Sequence, residues 1–376
     1  MIRLRIFTVA MLIVVSHSLQ LSAADLRVPK LEMITRGFVA DQTFQLSTLV
    51  DLEVAFEGGY KFGADVGFRF LDPAVELTDS PTEPPDHPDQ VLLFHYARAI
   101  TRSVFGTNAN LLYFTGSTDR FASGRELQQR FGTRPFDSEF YGFRYFPDRV
   151  RYDGIYGVRG TGLQLQGPAS SELWNLDLYL YQDQAVEPGV FSADARAMLN
   201  TSHIKLEAFA GATFPQAEAG VYRGGLLLFF DTNTGGEFLA QLGLPYWSPW
   251  DSNVDLDLDS LFILLEPRIR VNSFGLFLTM FWHPRIYDQQ PTDEEGAVDL
   301  NIKLLFGDPH QATVYGGIDH GIYLTPDSDE ELQFSLAPFI GAATSGVLWD
   351  FSLRSRIYPF DLSDSFEIML GIRTEY

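Results

Sequence analysis

The stretch 43–70, TFQLSTLVDLEVAFEGGYKFGADVGFRF, decides the fold. Phe44, Leu46, Val50, Leu52, Val54 and Phe56 share one parity, and Gln45, Ser47, Asp51 and Glu53 share the other. After Glu57-Gly58-Gly59 the alternation resumes. Tyr60, Phe62, Ala64, Val66, Phe68 and Phe70 oppose Lys61, Gly63, Asp65, Gly67 and Arg69. Side chains along a strand point alternately to two faces, so this is a hairpin with one apolar and one charged side.

The same period of two recurs along the chain. Trp174, Leu176, Leu178 and Leu180 oppose Asn175 and Asp177, and Val298, Leu300, Ile302, Leu304 and Phe306 oppose Asp299, Asn301 and Lys303. Val347, Trp349, Phe351 and Leu353 oppose Asp350, Ser352, Arg354 and Arg356. These runs exceed the roughly five or six residues of a globular strand and reach the roughly 9–11 of a tilted membrane strand. Charges in mid-strand suit a wet lumen behind an apolar exterior. Aromatics near strand ends, among them Phe44, Phe56, Tyr60, Phe70, Trp282, Phe306, Tyr323 and Tyr358, suit interfacial girdles. A soluble multi-sheet protein would also alternate, but with shorter strands.

The expected fold is all-β: one transmembrane antiparallel up-and-down β-barrel of about 16–18 strands, which leaves an aqueous channel. The higher count includes a weak segment at Leu31–Val39. Pro267, inside Asp259–Val271, cannot donate to the ladder and predicts a bulge. Connections alternate in length, as expected of long outer loops and short periplasmic turns. Ala343-Thr344-Ser345 and Asn272-Ser273 are short, whereas Asp72–Gln90 and Trp247–Asp257 are long.

The C-terminus supports this from a separate direction. Phe366, Ile368, Leu370, Ile372, Thr374 and Tyr376 alternate to a terminal aromatic. This resembles the barrel-closing strand of bacterial outer-membrane β-barrel proteins, the porin-like class. The resemblance implies recognition by the barrel-assembly machinery, with Tyr376 standing where Phe is usual.

The N-terminus reads as an address. Arg3 and Arg5 precede the apolar run Ile6–Val15, and Ser22-Ala23-Ala24 offers small residues before Asp25. Residues 1–24 therefore read as a cleaved secretory signal peptide, too short to span a bilayer, with 25–376 as one barrel domain exported to the outer membrane.

Composition narrows the function. The net charge of -22 disfavours nucleic acid, which needs clustered positive charge. The absence of cysteine removes thiolate metal sites, cysteine nucleophiles and a lipid-anchored N-terminal Cys. No histidine sits in a GxSxG or HExxH frame, and no cofactor or metal is expected. The chain reads as a non-enzyme. The acid excess gathers in outer connections, such as Asp251, Asp255 and Asp257 or Asp293-Glu294-Glu295, while the charges on the lumen faces nearly balance. An acidic vestibule would favour cations modestly.

One outer connection, 117–149, departs from the others. It carries Arg120, Arg125, Arg130, Arg134, Arg144 and Arg149 among Phe121, Phe131, Phe136, Phe140 and further aromatics. Ser123-Gly124-Arg125-Glu126 has capping-box spacing and Gly132 suits a helix end, which predicts a short helix near Gly124–Phe131. By position after the fifth strand, it resembles the constriction loop of general porins, which folds into the lumen. The expected constriction sets Arg120, Arg125, Arg130, Arg134 and Arg144 against Asp51, Glu53 and Asp65. Further lumen charges are Arg268, Arg270, Arg354 and Arg356. The competing arrangement is an outer lid packed on itself.

The expected function is passive diffusion of small polar solutes through the outer membrane, mildly cation-favouring. The alternatives are a substrate-specific transporter, including one for hydrophobic compounds, and a structural or adhesin barrel. An energy-coupled receptor is disfavoured, because no folded plug fits ahead of the first clear strand. The expected partners are outer-membrane lipid and the assembly machinery. Trimers are common among general pores, so a homotrimer is the assembly to test, although no sequence feature marks its interface.

Overall fold

The computed structural model describes residues 25–40, 43–72, 91–134, 136–140, 154–168, 171–183, 189–214, 220–249, 260–284, 297–307, 313–324, 332–344, 346–360 and 365–374. The segment 1–24, Arg144, Arg149, Tyr376 and most of the acidic outer connections lie outside them.

The described residues form eighteen strands in one antiparallel sheet. They are β1 (Asp25–Ala40), β2 (Thr43–Gly58), β3 (Phe62–Asp72), β4 (Val91–Thr101), β5 (Asn110–Phe121) and β6 (Tyr156–Gly167). Then come β7 (Trp174–Asp183), β8 (Phe191–Asn200), β9 (Ile204–Phe214), β10 (Val221–Asp231), β11 (Gly236–Trp247) and β12 (Phe262–Val271). The last are β13 (Phe274–His283), β14 (Ala297–Phe306), β15 (Val314–Leu324), β16 (Leu332–Thr344), β17 (Val347–Tyr358) and β18 (Phe366–Thr374). Each strand pairs with its sequence neighbours, and β1 closes on β18 from Glu32↔Arg373 to Phe38↔Glu367. Closure leaves no strand edge unpaired, the condition for β structure in lipid. The weak segment at Leu31–Val39 is the core of β1. Its pattern was blurred by Pro29 and by a register shift between Arg27 and Lys30 against β2.

The alternation sorts the side chains. On β7, Trp174, Leu176, Leu178 and Leu180 face out, and Leu180 is 60% exposed, while Asn175, Asp177, Tyr179 and Tyr181 are buried. On the closing strand, Phe366, Ile368, Leu370 and Ile372 take the outward parity, and Met369 is buried between them. A continuous apolar exterior around a charged interior is a surface that lipid covers. Among the described residues, no helix is long and apolar enough to cross a membrane. Phe44, Phe306 and Tyr358 are exposed outward near strand ends as girdle residues, but Tyr323 is buried on the lumen side and is not one of them.

Aromatics fill the places where inward glycines leave the wall thin. A Cβ on Gly67 would fall 2.3 Å from the Tyr96 ring, and one on Gly341 would fall 2.1 Å from the Tyr315 ring. In both cases the aromatic is the direct cross-strand partner, so each pair locks the local register.

The bulge expected at Pro267 is absent. Pro267 pairs with Phe238 on β11, and the β13 ladder steps from Leu265↔Met280 to Arg268↔Phe277 without losing register. The missing N–H is absorbed as a gap in one ladder, so no extra residue is needed. Register shifts occur elsewhere, including Gly67/Phe68 and Ser117/Arg120.

Candidate functional site: a segment pinned inside the lumen

The connection after β5 turns inward at Ala122, whose φ of 56° is left-handed and costly for a residue with a Cβ. Two wall side chains hold it there. Ala122 N donates to Glu207 Oε1 at 2.7 Å, and Ala122 O accepts from Gln241 Nε2 at 2.6 Å. Ser123 then caps helix α1 (Gly124–Phe131), its Oγ accepting from Glu126 N at 3.2 Å. Gly132, at φ 63°, ends the helix. The chain returns to the wall at Ile155, whose N donates to Phe121 O at 2.8 Å.

Apolar contacts spread this segment over the wall from β7 to β13. Phe121 sits 5.0 Å from Phe209 and 5.2 Å from Tyr179 between ring centroids. Leu127 is fully buried, Phe136 stacks on Phe229 at 4.5 Å, and Phe140 approaches Phe281 at 6.3 Å. Burying each such side chain is worth roughly 1.5–3 kcal/mol. The segment therefore has its own core inside the barrel.

Charged groups fix its position. Arg130 meets Asp177 at 3.2 Å, and Arg134 meets Asp231 at 2.7 Å and Glu237 at 2.8 Å. Further along, Ser138 donates to Glu266 at 2.6 Å and Glu139 pairs with Lys303 at 2.9 Å. Arg268 donates to the backbone oxygens of Phe136 and Asp137 at 3.0 and 2.6 Å. At the centre, Arg196 binds Asp177 and Asp119, both at 2.8 Å, and Glu126 at 3.5 Å. Asp119 also accepts from Tyr179 at 2.7 Å and from Arg98 at 3.1 Å.

The carboxylates expected to face the arginines stand elsewhere. Asp51 binds Arg69 at 2.8 Å and Lys30 at 3.3 Å, and Asp65 binds Arg98. Glu53 faces Lys30 in the β1–β2 register. Arg130 and Arg134 meet Asp177, Asp231 and Glu237 instead, because the segment descends along β7–β11. Arg120 gives its backbone N to Glu126 and its carbonyl to Arg196. Arg125, on the first turn of α1, is half-buried, and Arg144 lies outside the described residues. Arg268 is buried as an anchor of the segment, whereas Arg270 reaches Glu237 at 3.5 Å and Glu139 at 3.6 Å. Arg354 lies 3.8 Å from Glu367, and Arg356 is on the same inward parity of β17.

On the other half of the wall, from β15 through β18 to β4, Arg98 of β4 still reaches the network through Asp119 at 3.1 Å. There Arg36 binds Glu367 at 2.5 Å, and Tyr315 donates to Asp350. Arg36, Arg69 and Arg98 keep 15%, 16% and 22% of their side chains exposed.

Asp119, Arg196 and Glu139 are not among the expected site residues, and Glu126 was expected only as a helix cap. For Arg196 a signal was present: with Asp194 it interrupts a run of alanines on β8, FSADARAMLN, at the inward parity.

Two acidic groups of the segment, Glu126 and Glu139, are tuned apart. Burial works to raise Glu139, but Lys303 and Arg270 outweigh it and hold the carboxyl well below the usual range. Burial, with Asp119 close by, pushes Glu126 up to about 7 despite Arg196. A carboxyl raised in the docked state stabilises docking fully below its undocked value, and that contribution is lost as pH rises through the docked value. The protection factors of 123–132, with the intrinsic pH dependence of exchange divided out, should therefore rise on going from pH 8 to pH 5, and Glu126→Gln should flatten that rise. Protection factors that fall towards pH 5 would contradict the sign.

No family model matches the chain, and no curated protein matches it. Among solved structures, the chain is similar to Pseudomonas putida OprB in its low-pH structure. That likeness has 8% identity and a TM-score of 0.43, covering 95% of this chain and 94% of that one. It is similar to a variant of the Rh. blastica porin at 11% identity and a TM-score of 0.45, covering 94% of this chain and 100% of that one. A triple mutant of the Rhodopseudomonas blastica porin gives 10% identity and a TM-score of 0.43 over 94% and 100%. At such identities the chemistry of the lumen has to be read from this chain alone.

Proposed function

We propose that the chain is an outer-membrane channel for passive diffusion of small polar solutes, with the segment after β5 as its constriction. One observation carries the reading. The segment is fastened to the wall from β7 to β14, while the wall from β15 through β18 to β4 is lined by paired charges that stay partly wet. In this orientation both described chain ends and the short turns face the periplasm, and the long connections face outward. The acidic outer connections make the channel mildly cation-favouring. Within 117–149, Arg130 and Arg134 narrow the lumen by holding the segment in place, and they do not face solute across an open gap.

Swelling of proteoliposomes tests the function. Small neutral polyols and amino acids should enter at rates that fall steeply with solute size, and reversal potentials in a salt gradient should show a small cation preference. Size-independent exclusion would overturn the diffusion reading, and a clear anion preference would overturn the acidic-vestibule reading.

A further inference from the structure

At the short-turn end, a cavity of about 710 Å³ lies between the end of α1 and the turns around 172 and 201. That volume suits a small-molecule site. One side is apolar, formed by Phe131, Phe136 and Phe229. The other presents two cations, Arg134 and Lys205.

Both cations have unused donors. Arg134 spends a single nitrogen, Nη2, on Asp231 and Glu237, and its side chain is 52% exposed. Its Nε and Nη1 have no protein partner among the described residues. Lys205 donates to Thr201 O and has no ion pair among the described residues. The charges acting on Lys205 are Asp231 and the like-charged Arg134.

Asp231 is already engaged. Its Oδ2 accepts from Arg134 and its Oδ1 accepts from Asn233 N, both at 2.7 Å. Glu172, the other carboxylate of the cavity, is exposed. Two adjacent cations beside the partly exposed ring of Phe131 ask for an anionic oxygen pair attached to an apolar body.

We propose that this cavity binds a small organic monocarboxylate. Its carboxylate sits between the Lys205 ammonium and the free edge of Arg134. Its apolar body lies on Phe131. The site is separate from the wet charged half of the wall, and its occupancy does not depend on whether the barrel conducts.

Calorimetry on refolded 25–376 in detergent tests it, with benzoate as the probe and benzyl alcohol and inorganic phosphate as comparators. Benzoate should bind with one-to-one saturation, and both comparators should bind more weakly by about tenfold or more, the scale of a lost charge-assisted bond or a lost ring contact. Lys205→Met should weaken benzoate by about tenfold or more while heat-modifiable β structure is kept, and Lys61→Met should bind like the parent. Benzyl alcohol equal to benzoate would overturn the role of the cations. Phosphate equal to benzoate would overturn the role of the Phe131 ring. Undiminished binding to Lys205→Met, or no binding of benzoate at all, would overturn the site.

Discussion

Replacing 123–152 by a short Gly–Ser link should raise single-channel conductance several-fold. An eighteen-stranded barrel encloses a lumen much wider than its wall side chains can fill. The segment occupies that space with α1, Phe136 and Phe140, and at least seven of its residues bond to wall side chains (Ala122, Glu126, Arg130, Arg134, Phe136, Ser138 and Glu139). The β ladders do not use these residues, so the variant should keep heat-modifiable β structure. Its cost is the newly wet Phe209, Phe229 and Phe281, a few kcal/mol each in lost burial. Unchanged conductance in a folded variant would remove the segment from the permeation path.

Arg196→Met should be the most damaging single substitution in the lumen. Arg196 is fully buried and neutralises Asp119 and Asp177, which are buried as well. Removing one partner from a buried ion pair leaves a carboxylate uncompensated and costs about 3–5 kcal/mol. Arg98 remains for Asp119 and Arg130 for Asp177, which places the expected loss at the lower end of that range. The loss should appear first as undocking of the segment, read as trypsin cleavage at Arg125 and Arg130 before the barrel unfolds in urea. Arg27→Met gives the contrast, because its pairs with Asp25 and Glu57 involve a side chain 61% exposed. That variant should stay within about 0.5 kcal/mol of the parent. Equal stability of the two variants would mean that the Arg196 network does not hold the segment.

Much of the barrel was legible because each strand announces itself locally. The parity of Phe44–Phe56 or Trp174–Leu180 requires only that one face meet lipid and the other water. The helix after β5 was legible for the same reason, since Ser123, Glu126 and Gly132 satisfy helix ends within a few residues of themselves. The pairing of the arginines was not legible. Arg134 finds Glu237 across 103 residues and Arg130 finds Asp177 across 47, and those distances close only once the segment's path over β7–β11 is set. That path is chosen by Phe121, Leu127 and Phe136, which fit the aromatic wall of β7–β13 and would not fit the charged wall at Asp51 and Asp65. The Pro267 bulge was misjudged because a proline removes one donor, and a sheet with two ladders per strand can lose that bond on one side alone.

Planar-bilayer recording of refolded 25–376 tests the central claim most directly. A barrel whose lumen is narrowed on one side and lined along β15–β4 by paired, partly exposed charges predicts stable ohmic steps in simple salt. A silent bilayer from protein with intact heat-modifiable β structure would contradict it, because the pinned segment would then close the lumen altogether.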